Sequence, residues 1–207
     1  LEKVNANLFF DDINTLNLNN AYCFYYDKKM SIDAEIDMSK NLQTPFKTNF
    51  KIDDFAIENL LHTFNGFGFK QLDEPAKLTG IIDLDASFKG IMNDSIGVNY
   101  TSLEAALSYK IKKLDIINFQ PIIDAGKIVF SKKRLDVIKF ANINSTIFLK
   151  NNIISIPETN VQSTAFDFFI EGDIAKSSFT DLWISIPLSN FKKRDLTKVP
   201  SKKSFDE

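Results

Sequence analysis

Groups that usually carry chemistry are scarce in this sequence. It has one cysteine, Cys23, and one histidine, His62. A lone cysteine excludes an internal disulfide framework and a multi-cysteine metal site. His62 has no second histidine and, Cys23 apart, no thiol to complete a metal or nucleophile constellation. It reads as a helix-surface or partly packed residue. Cys23, within AYCFYYD, lies among aromatics and reads as a buried small hydrophobe. With only 7 Gly and 6 Pro, the chain is neither low-complexity nor disordered in composition. No stretch approaches the ~18 apolar residues of a membrane-spanning helix. Basic residues number 25 and acidic ones 27, a net charge of −2, and most of the chain lacks the basic stripe of a nucleic-acid binder. Nucleotide-binding glycine motifs and the G-x-S-x-G nucleophile turn are missing as well. GFGFK (residues 66–70) lacks the third glycine and the following helix.

What is present is hydrophobic residues, 44% of the chain and including 20 Phe, arranged with a period of two. In LTGIIDLDASFKG, Leu78, Gly80, Ile82, Leu84, Ala86 and Phe88 fall on one face and Asp83, Asp85, Ser87 and Lys89 on the other. Met30, Ile32, Ala34, Ile36 and Met38 alternate in the same way with Ser31, Asp33, Glu35 and Asp37. So do Phe46, Phe50 and Ile52 with Lys47, Asn49 and Lys51. Leu103, Ala105, Leu107, Tyr109 and Ile111 continue the pattern. Residues 138–175 predict three strands, with Asn151-Asn152 as a tight turn and Pro157 ending the middle strand or sitting at its edge. Residues 181–190 predict one more, with Leu182, Ile184, Ile186 and Leu188 on one side. Successive strand side chains point to opposite faces, so each segment buries one face and wets the other. This is the antiparallel, one-sided pattern.

Two segments leave it. Residues 54–68 place Ile57, Leu60, Leu61 and Phe64 at helical spacing, with Asp53 or Asp54 as cap and Gly66 or Gly68 at the stop. Residues 118–127 predict a second short helix around Pro121–Ala125, ended by Gly126. Carboxylates alternate with apolar residues and read as a solvated face. The basic clusters SKKR (residues 131–134) and FKKRD (residues 191–195) read as solvated turns, with anionic lipid head groups as the alternative. The length of 207 residues fits one large β unit or two small ones. A single unit over residues 1–195 is expected, with a weak division near 68–77 and a polar linker or loop over 196–207.

Several segments in order resemble the C-terminal region of the AsmA-like family in its Bacteroidetes-type form. They are FKIDDFAIENLLHTFNGFG (residues 50–68), LTGIIDLDASFKG (78–90), KRLDVIKFANINSTIFLKNNIISIP (133–157), STAFDFFIEG (163–172) and IPLSNFKKRD (186–195). The resemblance covers about Phe46 to Asp195, and its specificity lies in the ordered set. It implies a bridge-like lipid-transfer protein: a curled antiparallel sheet forming an open apolar groove, with two short helices. It further implies glycerophospholipid passage across the periplasm, with an inner-membrane anchor outside this fragment of a longer chain. It offers no catalytic residue, cofactor or metal to carry over.

The period-two rule then nominates groove residues: Ile82, Leu84, Ala86 and Phe88 on one strand, Phe166, Phe168 and Ile170 on another, and Ile184 and Ile186 on a third. Ordinary sandwich core and lipid path are both open for them. The expected partners are phospholipid acyl chains, the inner and outer membranes through parts outside the fragment, and possible envelope proteins. The alternative function is an interaction module that docks a partner by strand addition. An enzyme built on dispersed carboxylates lacks any constellation to support it.

Overall fold

The structure, a computed structural model, describes residues 2–11, 14–39, 43–65, 78–93, 97–120, 123–124, 135–175 and 180–188. Their strands are Glu2–Phe10 (β1), Thr15–Tyr25 (β2), Lys28–Asp37 (β3), Thr44–Ala56 (β4), Leu78–Met92 (β5), Glu104–Ile117 (β6), Val137–Lys139 (β7), Ile143–Lys150 (β8), Ile153–Gln162 (β9), Asp167–Ala175 (β10) and Thr180–Ser185 (β11). One α-helix, Ile57–Thr63 (α1), follows β4 directly, and a 3-10 turn, Tyr100–Ser102, precedes β6. All the strands join one antiparallel sheet in the order β1-β2-β3-β4-β5-β6-β8-β9-β10-β11, with β7 paired to the end of β6. The sheet does not close into a barrel, so β1 and β11 are its edges. The mostly β, open antiparallel architecture is as the alternation predicts. It is consistent with a curled, groove-like sheet. Strands β4 and β5 pair directly across the stretch around 68–77, so both halves share the sheet.

Register carries the apolar pattern from strand to strand. Ile32, Phe50, Ala86, Leu107 and Ile147 stand opposite one another in turn across β3, β4, β5, β6 and β8. A neighbouring row runs Ala34, Thr48, Phe88, Ala105, Leu149, Ile154, Ile174 from β3 to β10. Cross-strand pairs of this kind are the unit that stabilises a sheet.

The alternation slips in places where the sequence reads as unbroken. β2 places two residues, Asn19 and Asn20, against Asp33, and β4 places Asp53 and Asp54 against Asp83. Asn20 and Asp54 adopt φ of 52° each, a conformation short polar side chains tolerate. Their backbone N–H groups donate to the opposing aspartate, Asn20 to Asp33 Oδ1 at 2.7 Å and Asp54 to Asp83 Oδ1 at 2.8 Å. Each bulge adds one residue, so the apolar side chains that follow return to the same face. β6 does the same with Lys113 and Leu114 opposite Gly80, and β9 at Pro157-Glu158 opposite Glu171. Pro157 therefore neither ends β9 nor marks its edge; it lies inside the strand at a bulge, where its missing N–H costs no ladder bond.

The core sits at one end of the apolar face. Ile52, Phe55, Ile82, Leu114, Ile116, Ile138, Ile143 and Val161 form one buried cluster there with Ile57 and Leu61 of α1, which packs on β4 and β5. Seven residues are too few for a helix to be stable alone. Packing of Ile57 and Leu61, about 1.5–3 kcal/mol each, and a 2.9 Å bond between Thr63 Oγ1 and Tyr25 Oη hold it. No side chain caps its start: the N-cap is Ala56, and Asp53 and Asp54 belong to β4 rather than capping as expected. Of the second expected helix, Gln120, Ile123 and Asp124 are helical, with the Ile123 N–H donating to Phe119 O at 3.2 Å. Pro121, Ile122, Ala125 and Gly126 lie outside the described residues, as do Gly66, Gly68, both basic clusters and residues 196–207. Thr101 and Ser102 belong to the 3-10 turn, and the alternation that begins at Leu103 enters β6 at Glu104.

Candidate functional site: two faces of one sheet

The nominated groove residues divide into three groups. Ile82, 7% exposed, is part of the core cluster, and Leu84, Phe166 and Phe168 pack against it. Ala86, 2% exposed, is buried between Phe50 and Leu107 by register. Phe88 and Ile170 are half-buried beyond the cluster, while Ile184 and Ile186 are exposed at 62% and 42%. All but Phe166 and Ile186 stand on described strands; Phe166 immediately precedes β10 and Ile186 immediately follows β11.

Away from α1, the same apolar face continues with no covering layer among the described residues. Leu8 and Phe10 of β1 pair with Leu18 and Leu16, which pair with Ala34 and Ile36 of β3. At the far side Ile174 and Ile170 of β10 pair with Thr180 and Ile184 of β11. Between them, at the sheet end remote from α1, a depression of about 260 Å³ is lined by Leu103, Leu149, Ile154 and Ile174. Tyr100 and Asn152 stand at it as the polar contributors. The φ of 52° and 60° at Asn151 and Asn152 makes the tight turn that the sequence predicts there.

The opposite face is charged, and it holds the two larger depressions, of about 570 and 410 Å³. Glu35, Lys47, Lys89 and Glu104 stand opposite one another in turn on β3, β4, β5 and β6. Lys150 of β8 completes the row, 3.3 Å from Glu104. Lys89 lies 2.9 Å from Glu104, and Lys47 3.5 Å from Glu35. Hydrogen bonds from Lys89 and then Lys150 hold the Glu104 carboxyl below its ordinary pKa. From the sequence this face reads only as solvated. Its signal was the spacing of lysine and glutamate that register alone brings into one row.

Nearer the core, Lys112 Nζ sits 2.8 Å from both Asp54 Oδ1 and Asp83 Oδ2. Partial burial works to raise the Asp83 pKa, but the Lys112 ammonium and the Asp54 N–H outweigh it and hold the carboxyl low. The same two aspartates push the Lys112 pKa up. This triad ties the β4 bulge to β5 and β6. His62 is exposed on α1 with Nδ1 3.4 Å from Tyr26 Oη, and Cys23 is half-buried opposite Met30. No group of three or more His, Cys, Asp or Glu among the described residues is arranged to hold a metal. No described helix is long and apolar enough to cross a membrane. No family model matches the chain, and no curated protein or solved structure matches it either.

Proposed function

We propose that this chain is a non-enzymatic, lipid-binding conduit segment whose apolar sheet face carries acyl chains. The observation that supports it is the mismatch between apolar face and cover. The face runs without a break from Leu8 to Ile184, yet α1 and the core occupy one end only. Exposed apolar surface of this extent marks an interaction site. Each methylene laid on it gains about 0.8 kcal/mol, so acyl chains of ordinary length are held while their head groups stay wet. Threonines such as Thr48, Thr159 and Thr180 are the polar steps on a face that is otherwise aliphatic and aromatic, so a sliding chain meets no charge. With the resemblance to AsmA-like proteins, the reading extends to glycerophospholipids carried through the periplasm between inner and outer membrane. Anchoring would then lie in a segment outside this one, and the process served would be outer-membrane biogenesis.

The test is mass spectrometry of organic extracts of the purified protein, alongside Phe88→Asp. Phe88 suits it because it lies on the apolar face outside the core cluster. The expected outcome is co-purified phospholipid in the wild type and its loss in the variant, with melting nearly unchanged. Normal melting with undiminished lipid in Phe88→Asp removes the proposal.

The second reading, strand addition by an envelope protein partner, is favoured by edge strand β11. Its Trp183 and Ile184 are 64% and 62% exposed on opposite faces, and one side of its backbone has no neighbouring strand among the described residues. Absence of lipid together with protection of the β11 amides by a bound partner would select it.

A further inference from the structure

Charged sheet faces usually pair their charges across strands, and this one departs from that rule at its centre. Lys47 of β4 and Lys89 of β5 stand directly opposite each other, an arrangement that destabilises a sheet. Their glutamate partners, Glu35 and Glu104, lie on the outer side of each, so no anion stands between the two ammonium groups by register. Each lysine has three N–H donors and one glutamate contact, which leaves donors for a third party.

These lysines line the 570 Å³ depression on the charged face. Lys150 is the third cation there and Glu104 the one carboxylate in its lining; with Glu35 on the outer side of Lys47, the row carries three positive charges against two negative. The depression also holds an aromatic that amphipathic alternation does not explain. Phe148 of β8 is 44% exposed on the charged face, opposite Ala106. Ser87, one row from Lys89, adds a hydroxyl. A pocket of this kind, with a few convergent polar groups beside an apolar surface, is what small-ligand sites are made of.

We propose that this depression binds a phosphate monoester carrying a flat apolar body. The phosphate lies between Lys47 and Lys89, and the body rests on Phe148. The charge supports the choice: a phosphate monoester carries about −1.5 to −2 at pH 7, and it sets that charge between two opposed lysines in a row with one surplus positive charge. A neutral ligand would leave the lysine pair unanswered, and an inorganic anion would leave Phe148 bare. Most of its lining is on the face opposite the acyl-chain surface, with Phe88, Ala105 and Leu149 bordering it, and the site does not depend on that reading.

The experiment is calorimetric titration of the whole chain with phenyl phosphate and, separately, inorganic phosphate, at low ionic strength. Phenyl phosphate should bind saturably, weaken as salt rises past ~0.1 M, and bind more tightly than inorganic phosphate. The double variant Lys47→Gln/Lys89→Gln should lose about tenfold or more in affinity, the scale expected for removed charge-assisted hydrogen bonds. Lys51→Gln, which removes a lysine of the same face outside the depression, should change nothing. Phe148→Ser should abolish the preference for phenyl phosphate over inorganic phosphate; it tests the site independently should the double variant melt early. Absence of saturable binding by the wild type overturns the proposal. Equal binding by the folded double variant, or no preference for phenyl phosphate in the wild type, overturns it too.

Discussion

At the scale of single residues, position relative to α1 decides what a charge does. Ile82 and Phe88 share a strand and a face, but Ile82 is inside the core cluster and Phe88 is not. Ile82→Asp should cost about 3–5 kcal/mol, the scale of an uncompensated buried charge. That is a large part of the 5–15 kcal/mol of a typical domain. Phe88→Asp should melt close to wild type; equal losses for the two in denaturant titration would contradict a one-ended core. Asp83 gives a pH signature. Its pKa is held low in the fold, so its contribution is fully present above the unfolded-chain value of about 3.9. It is lost as pH falls through the lower folded value. The melting gap between wild type and Asp83→Asn should therefore be full at neutral pH and shrink below about pH 4. A gap independent of pH would assign Asp83 no ionic role.

At the scale of elements, turns and bulges set the register. Asn151 and Asn152 both have positive φ in the β8–β9 turn. Valine at either should cost about 1–2 kcal/mol, whereas Asn152→Gly should cost nothing, as melting curves will show. Gly172 of β10 has φ of 136°, and a Cβ there would run into the Asp181 carbonyl of β11. Gly172→Ala should detach β11, seen as faster amide exchange confined to residues 180–185. Slow exchange there in the variant would show that the sheet yields elsewhere. The turn at Asn151-Asn152 was legible in the sequence because tight hairpins demand particular residues. The bulges were not, although two of them fall at paired polar residues, Asn19-Asn20 and Asp53-Asp54. Period-two reasoning counts faces along one strand, and a bulge is defined only against the strand beside it.

At the scale of the whole molecule, a core at one end implies a gradient of stability along the strands. Amides near Ile52, Ile82 and Ile143 should exchange far more slowly than those near Ile36, Leu149 and Ile174. Leu61→Ala should remove about 2–5 kcal/mol and speed exchange at the α1 end. Uniform exchange along β5 would mean that the far end has a cover of its own. Ligands read the same division. Acyl chains should protect the far end of the apolar face, and phenyl phosphate the row from Lys47 to Lys150.

The sequence alone determined the class of fold, because a period of two in side-chain polarity has one structural solution, a sheet with one dry and one wet face. It also determined the separation of Ile82, Leu84 and Phe88 from Asp83 and Asp85. Only the tertiary structure decided which part of the dry face becomes core. That depends on where α1 and the residues around Leu135, Phe140 and Ala165 pack, and a short segment encodes its own spacing but not its docking site. The same holds for the wet face. Lys47, Lys89, Glu104 and Lys150 are far apart in sequence, and pairing brings them into one row, since register is a property of neighbouring strands rather than of any one of them.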